Sequence, residues 1–100
     1  MNPRTVQRDR VHLLTDLPNI GKVSASDLRL IGIDTPHALV GLCPYAMYDQ
    51  LCAVTGTHHD PCVIDVFISI TRFMAGEDPQ PWWAYTAERK AANRRPTPAT

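Results

Sequence analysis

The sequence predicts an all-α fold of five to six short helices, and three observations lead there. No segment alternates apolar and polar residues between hairpin-turn signals, as a half-buried strand would. Apolar residues recur instead at three-to-four spacing, most clearly in Cys62, Val63, Val66, Phe67, Ile70, Phe73 and Met74. Nine prolines, which composition alone would assign to loops, act as punctuation. Pro36, Pro44 and Pro61 each stand where a helix could begin, the one helical site that tolerates proline.

Taken in order, a first helix is expected from Thr5 to Leu14, with Val6, Val11, Leu13 and Leu14 near one face and Pro18 as its stop. A second begins near Val23 or Ser24, where Ser24 and Asp27 have capping-box spacing, and ends at Gly32. A short third runs from Thr35 as N-cap through Pro36 to about Gly41. The fourth starts near Pro44 and ends at Gly56, with Tyr48, Leu51, Cys52 and Thr55 inward. In the fifth, Asp60 caps, Pro61 opens and Gly76 stops; its other flank, Ile64 and Ile68, is apolar too. Only Asp65, Ser69 and Arg72 form a polar strip, which makes this the most buried element. After the Pro79 and Pro81 break, Trp82 to about Asn93 forms a final amphipathic helix.

Composition bounds the function. At 100 residues, 44% hydrophobic and 20% charged, the chain builds one core and should fold. With no apolar run approaching ~18 residues, neither a membrane span nor a signal peptide is expected, and the expected compartment is the cytoplasm. Three cysteines, with no C-x-x-C pair, read as reduced thiols. Ten basic residues balance ten acidic ones, an unusual balance for a duplex binder. The charge is not evenly spread: residues 1–16 and 77–100 are each mildly basic and residues 17–76 mildly acidic. Residues 94–100, with Arg94, Arg95 and two prolines, read as a disordered tail.

The residues Leu17-Pro18-Asn19-Ile20-Gly21-Lys22-Val23-Ser24, followed by Leu28, Ile31, Gly32 and Ile33, resemble a helix-hairpin-helix motif, a tight h-P-G-h-G turn between two short helices. Gly21 is expected to supply a conformation or close backbone approach that a Cβ would obstruct. Asn19 stands where the motif has glycine and is, after glycine, the residue that best tolerates a left-handed backbone. Ile20 would bury the tip. The amides of Gly21, Val23 and Ser24 then project from a helix start, where dipole and unpaired N–H groups favour an anion. The anion such motifs receive is a duplex phosphate, so Asn19, Gly21, Lys22, Val23 and Ser24 are the candidate contacts, insensitive to base sequence.

The segment Ile33-Asp34-Thr35-Pro36-His37-Ala38-Leu39 is similar to that after the hairpin in DNA polymerase beta-type proteins. That resemblance implies a monovalent cation at the carbonyls of Thr15, Leu17 and Ile20. The order of elements implies a tandem helix-hairpin-helix (SAM-like) bundle, with Gly56, Thr57, His58 and His59 as a second hairpin. That hairpin lacks the h-P-G-h-G pattern, and protonated His58 or His59 would make its affinity rise as pH falls toward ~6.5. The run from Leu51 to Phe67, with Pro81-Trp82-Trp83 and Glu88-Arg89-Lys90, resembles a bacterial helix-hairpin-helix family named for a pathogenicity locus, some members labelled mitomycin resistance. The resemblance covers about residues 10–92, and the hairpin half also resembles the C-terminal domain of TfoX-like competence proteins.

Residues 1–9 are then an extension leading into the first helix, 10–76 the helix-hairpin-helix domain and 77–93 a Trp-anchored helix. The function this implies is non-sequence-specific binding of double-stranded DNA, weak for this chain alone and assisted by a protein partner, in repair, recombination or competence. The alternative is a protein-interaction domain of the same fold. Cys43, Cys52, His58, His59 and Cys62 lack the short chelating pair of structural zinc sites and are expected as ordinary core thiols and loop histidines. A Cys62 nucleophile has one physical merit, the helix N-terminus that would lower its pKa, but no orienting acid besides Asp60. Binding and not catalysis is therefore expected. Trp82, Trp83 and Tyr85 could stack on unpaired bases; anchoring the last helix is the reading preferred from sequence.

Overall fold

The strongest apolar stripe in the sequence becomes the central helix. In a computed structural model, which describes residues 3–93, α3 (Cys62–Met74) buries Ile64, Phe67, Ile68, Ile70 and Phe73. Each such side chain contributes about 1.5–3 kcal/mol on leaving water. The helix opens as its sequence directs, with Asp60 Oδ1 accepting the Cys62 N–H at 2.8 Å and the Asp60 carbonyl accepting that of Val63 at 3.0 Å. Among the described residues the other α-helices are α1 (Lys22–Leu30), α2 (Pro44–Thr55) and α4 (Thr86–Asn93), joined by short 3-10 turns, and no strand is present. The tail expected at 94–100 lies outside the described residues.

The expected first helix does not form. Residues Thr5 to Leu14 are extended backbone interrupted by 3-10 turns at Pro3–Thr5 and Arg8–Arg10, with another at Leu14–Asp16. A ten-residue helix is marginal by itself, and tertiary bonds claim this segment. Arg8 Nε donates to the Phe73 carbonyl at 2.8 Å and Nη2 to that of Glu77 at 2.6 Å, with the guanidinium 4.7 Å from the Phe73 ring centre. A side chain near the start of the chain thus caps the carbonyl end of α3, where a cation is favoured. Of the supposed apolar face, Leu14 is buried, Val6 and Val11 are half-buried, and Leu13 is 65% exposed.

The second helix starts earlier than its capping-box spacing suggested. Gly21 is the N-cap and Ser24 lies inside the first turn, so Ser24 and Asp27 form no box. The helix ends as expected, Gly32 at φ +84° with its N–H on the Arg29 carbonyl. The third helix is only a 3-10 turn, Pro36–Leu39, with Pro36 and Leu39 buried. α2 matches its expected bounds and buries Met47, Tyr48 and Leu51, while Cys52 and Thr55 are half-buried. It packs on α1 and α3.

The last helix is a 3-10 turn, Trp82–Tyr85, continued by α4. Both segments pack on α3, held there by the part of α3 that is not apolar. Asp65 is fully buried (0% exposed), its Oδ1 accepting from Arg89 Nε at 2.9 Å and its Oδ2 from Thr86 Oγ1 at 2.7 Å. Ser69, one turn on, is buried as well, so of the three polar residues only Arg72 reaches solvent, paired with Glu77 and Glu88. The Asp65 carboxylate holds the Arg89 guanidinium pKa above its ordinary value. Removing one partner leaves the other buried and unpaired. Arg89→Ala is therefore expected to cost about 3–5 kcal/mol in urea denaturation, whereas Asp65→Leu combined with Arg89→Met costs far less than either change alone.

Candidate functional site

The hairpin between the Leu14–Asp16 turn and α1 is built from both ends. Asp16 Oδ2 accepts the N–H groups of His12 (3.0 Å) and Leu13 (2.8 Å), which lower its pKa and fold the chain back. Leu17, Pro18 and Ile20 are buried. Between them Asn19 adopts φ +67°, the left-handed conformation anticipated from its sequence position. Its side chain, however, is spent inside the fold. Nδ2 donates to Ser69 Oγ at 3.0 Å and to the Gln80 carbonyl at 2.9 Å, and Ser69 Oγ in turn donates to the Val66 carbonyl at 2.6 Å. Asn19 is an internal strut that ties the turn to α3 and to the segment before the tryptophans.

The surface of the hairpin is left to Gly21, Lys22 and Val23, all exposed, with Ser24 half-buried. Gly21 departs from expectation: its φ of −96° suits any residue, and a Cβ there would meet nothing within 4 Å. The fold does not need this glycine. What its missing side chain does is leave the start of α1 without a capping side chain at the N-cap among the described residues. Of the carbonyls implied for a cation, that of Leu17 accepts the Ile20 N–H at 3.5 Å; Thr15 lies in the preceding turn and Ile20 just before α1.

The second candidate hairpin is tied inward. Gly56 ends α2 at φ +65°, and the Thr57 N–H returns to the Cys52 carbonyl at 3.2 Å. His59 Nε2 lies 2.9 Å from Thr55 Oγ1, whose proton goes to the Leu51 carbonyl, and the Tyr48 hydroxyl donates to the His59 carbonyl. His58 is exposed, edge-on to the Tyr48 ring at 6.2 Å. Of the four residues, His59 serves the fold while Gly56, Thr57 and His58 are exposed.

Cys43 is exposed and Cys52 and Cys62 are half-buried, all as free thiols. Among the described residues no three His, Cys, Asp or Glu side chains are grouped to hold a metal. Cys62 is pushed above the ordinary thiol pKa by its hydrogen bond with Asp60 and by burial, which reverses the one merit of the nucleophile reading. The aromatic pair also departs from expectation. Tyr85 is buried and Trp82 half-buried, but Trp83 is 62% exposed; the last helix is anchored by Tyr85, Thr86 and Arg89 instead. Sequence reasoning missed Arg8, Asp65 and Arg89. A carboxylate on an otherwise apolar helix was the available signal for the last two.

The family described as Pathogenicity locus matches residues 7–91. The chain belongs to that family. A further relative of this pathogenicity-locus protein is the mitomycin resistance protein McrB of Streptomyces lavendulae, 36% identical over 77 residues, which are 77% of this chain and 73% of the relative. No solved structure matches it.

Two predictions follow from the geometry of the turns in this pathogenicity-locus protein. Asn19→Gly keeps the left-handed backbone and loses the two side-chain bonds, at about 1–2 kcal/mol, whereas Asn19→Ala adds about 1–2 kcal/mol of backbone strain, both read by urea denaturation. Asp60, whose pKa the Cys62 N–H lowers, stabilises the fold above the ordinary aspartate range, and that contribution is lost as pH falls through the depressed value. Asp60→Asn should therefore lower the neutral plateau of a pH-dependent melting series slightly and flatten its acid limb below about pH 4, so that wild type and variant converge in acid.

Proposed function

We propose that this protein binds double-stranded DNA without sequence preference, receiving a backbone phosphate on the amides that open α1. The observation that carries the reading is the Asn19–Ser24 turn. A helix begins there with a bare N-cap, an exposed Lys22 and no internal use for Gly21, while Asn19 rigidifies the turn from within. Helix starts of this kind favour anions through dipole and unpaired N–H groups. The carbonyls of Thr15, Leu17 and Ile20 offer hard oxygen donors that would suit a monovalent cation beside the phosphate. In sequence the turn resembles a helix-hairpin-helix, with a 3-10 turn standing where the first helix would be, and the role is that of a cytoplasmic accessory to repair, recombination or competence, a binding protein and not an enzyme. With Lys22 as the one exposed cation among the residues of the turn, binding by the chain alone is expected to be weak, and a protein partner is proposed to supply the rest of the affinity.

A second reading, a protein-interaction domain, is favoured by one observation. A cleft of about 320 Å³ between the end of α1 and α2, lined by Ile31, Ile33, Leu42, Ala46 and Met47, opens to solvent beside exposed Leu42. The two readings separate by titration of a labelled duplex against salt. The DNA reading expects affinity that falls steeply with salt. Lys22→Ala should reduce the slope of log K against log salt by about 1. Gly21→Val should weaken binding to all sequences alike at only a small cost in thermal stability, since its Cβ has open space but valine is a poorer N-cap than glycine. Binding that is absent or indifferent to salt and to both variants would leave the interaction domain as the reading.

A further inference from the structure

We infer that a cleft at the carbonyl end of α3 binds a small organic anion with an apolar body, held by Arg8, His12 and His37. None of these residues belongs to the hairpin, so the inference stands apart from the DNA reading. The cleft has a volume of about 440 Å³, within the roughly 300–1,000 Å³ of small-molecule sites. Three separated segments build it. Arg8, Val11 and His12 come from the stretch before the Leu14–Asp16 turn, His37 and Val40 from the Pro36–Leu39 turn and its end, and Met74 from the last turn of α3. Sites for small ligands combine apolar walls with a few convergent polar groups. Here the walls are Val11, Val40 and Met74, and every ionisable side chain lining the cleft either carries a positive charge or can take one.

The fold leaves these three groups free to act on a ligand. Arg8 is fixed by its bonds to the carbonyls of Phe73 and Glu77, yet its charge has no carboxylate partner among the described residues. Neither the His12 nor the His37 imidazole makes a hydrogen bond there, in contrast to His59, which is tied to Thr55. The neighbouring carboxylates are engaged elsewhere or do not line the cleft. Asp16, the one nearest His12, accepts the His12 and Leu13 amides and with Arg10 lines an adjoining hollow; Glu77 faces Arg72 at 3.7 Å. Asp9 and Asp34 adjoin the cleft in sequence without lining it. Two imidazoles would also suit a metal, but Arg8 would repel one, and no third metal-ligating side chain joins them among the described residues. A guanidinium fork matches a planar or tetrahedral oxyanion, and a bare duplex phosphate would leave the apolar walls unused. An anion with a small apolar body uses both.

The test titrates the full chain with benzenesulfonate, whose charge is constant with pH, and with neutral methyl phenyl sulfone, following backbone amides by NMR. The sulfonate is expected to give saturable shifts centred on Arg8, His12, His37 and Val40, and to bind more tightly than the sulfone. Its affinity should rise between about pH 7.5 and about pH 5.5, where histidine gains charge, by about 2-fold to 5-fold for each imidazole. His12→Gln and His37→Gln should each remove part of that rise and the double variant all of it, with melting temperature unchanged. Val40→Glu, at an exposed position, should weaken the sulfonate at every pH while sparing the sulfone. Absence of saturable shifts, shifts centred elsewhere, equal affinity for the two probes, or a pH dependence that survives in the double variant overturns the inference. So does displacement of the sulfonate by a short duplex whose own binding falls in the double variant, which would make the cleft part of a nucleic-acid surface.

Discussion

Asp65 and Ser69 stand one helical turn apart on the most buried helix of the molecule, and neither can stay there without a partner. A buried carboxylate left unpaired costs several kcal/mol, and an unpaired hydroxyl costs less but still more than a typical hydrogen bond contributes. Ser69 gives its proton to the Val66 carbonyl on the same helix; the other partners come from different parts of the chain. Arg89 and Thr86 answer Asp65, which seats α4; Asn19 answers Ser69, which seats the hairpin and, through Gln80, the approach to the tryptophans. The apolar faces of α3 would permit several ways of laying these segments down. Two polar side chains select one.

The same principle recasts the neutral charge. Much of the formal charge is structural. Arg8 closes the carbonyl end of α3, Arg89 and Asp65 neutralise each other inside, Arg72 lies between Glu77 and Glu88, and Asp16 and Asp60 hold backbone amides. The sum of zero therefore says little about the field at any one place on the surface. What matters at the hairpin is local: exposed Lys22, the uncapped start of α1, and a glycine that keeps them uncovered.

What could be read from the residues was whatever depends on neighbours in sequence. Proline at the first helical position and glycine past the last bounded α2, and Asp60 with Pro61 marked the start of α3, because capping is a contact across two or three residues. The left-handed backbone at Asn19 was legible for the same reason. The first helix was not, since its apolar spacing was outweighed by Arg8 bonding to carbonyls far along the chain. Asp65 looked like part of an ordinary polar strip because nothing local announces that Arg89 will fold onto it. Gly21 reads in sequence as supplying a conformation or close approach that a Cβ would obstruct, whereas its φ suits any residue and the space beside it is open, a distinction that the identity of a glycine does not carry. Trp83 was assigned to packing by what tryptophans usually do, and the neighbouring Tyr85 takes that place instead.

The strut at Asn19 also bears on how the chain is made. Its partners lie 50 and 61 residues downstream, at Ser69 and Gln80. At a synthesis rate of about 5–20 residues per second, roughly 3–12 seconds pass between the polymerisation of Asn19 and that of Gln80. Until then Leu17 and Ile20 have no α3 to cover them. The hairpin is accordingly not a portable cassette that could be cut out and grafted onto another scaffold. Its geometry belongs to the finished chain, and a nascent or truncated product would display the right residues in an unset turn.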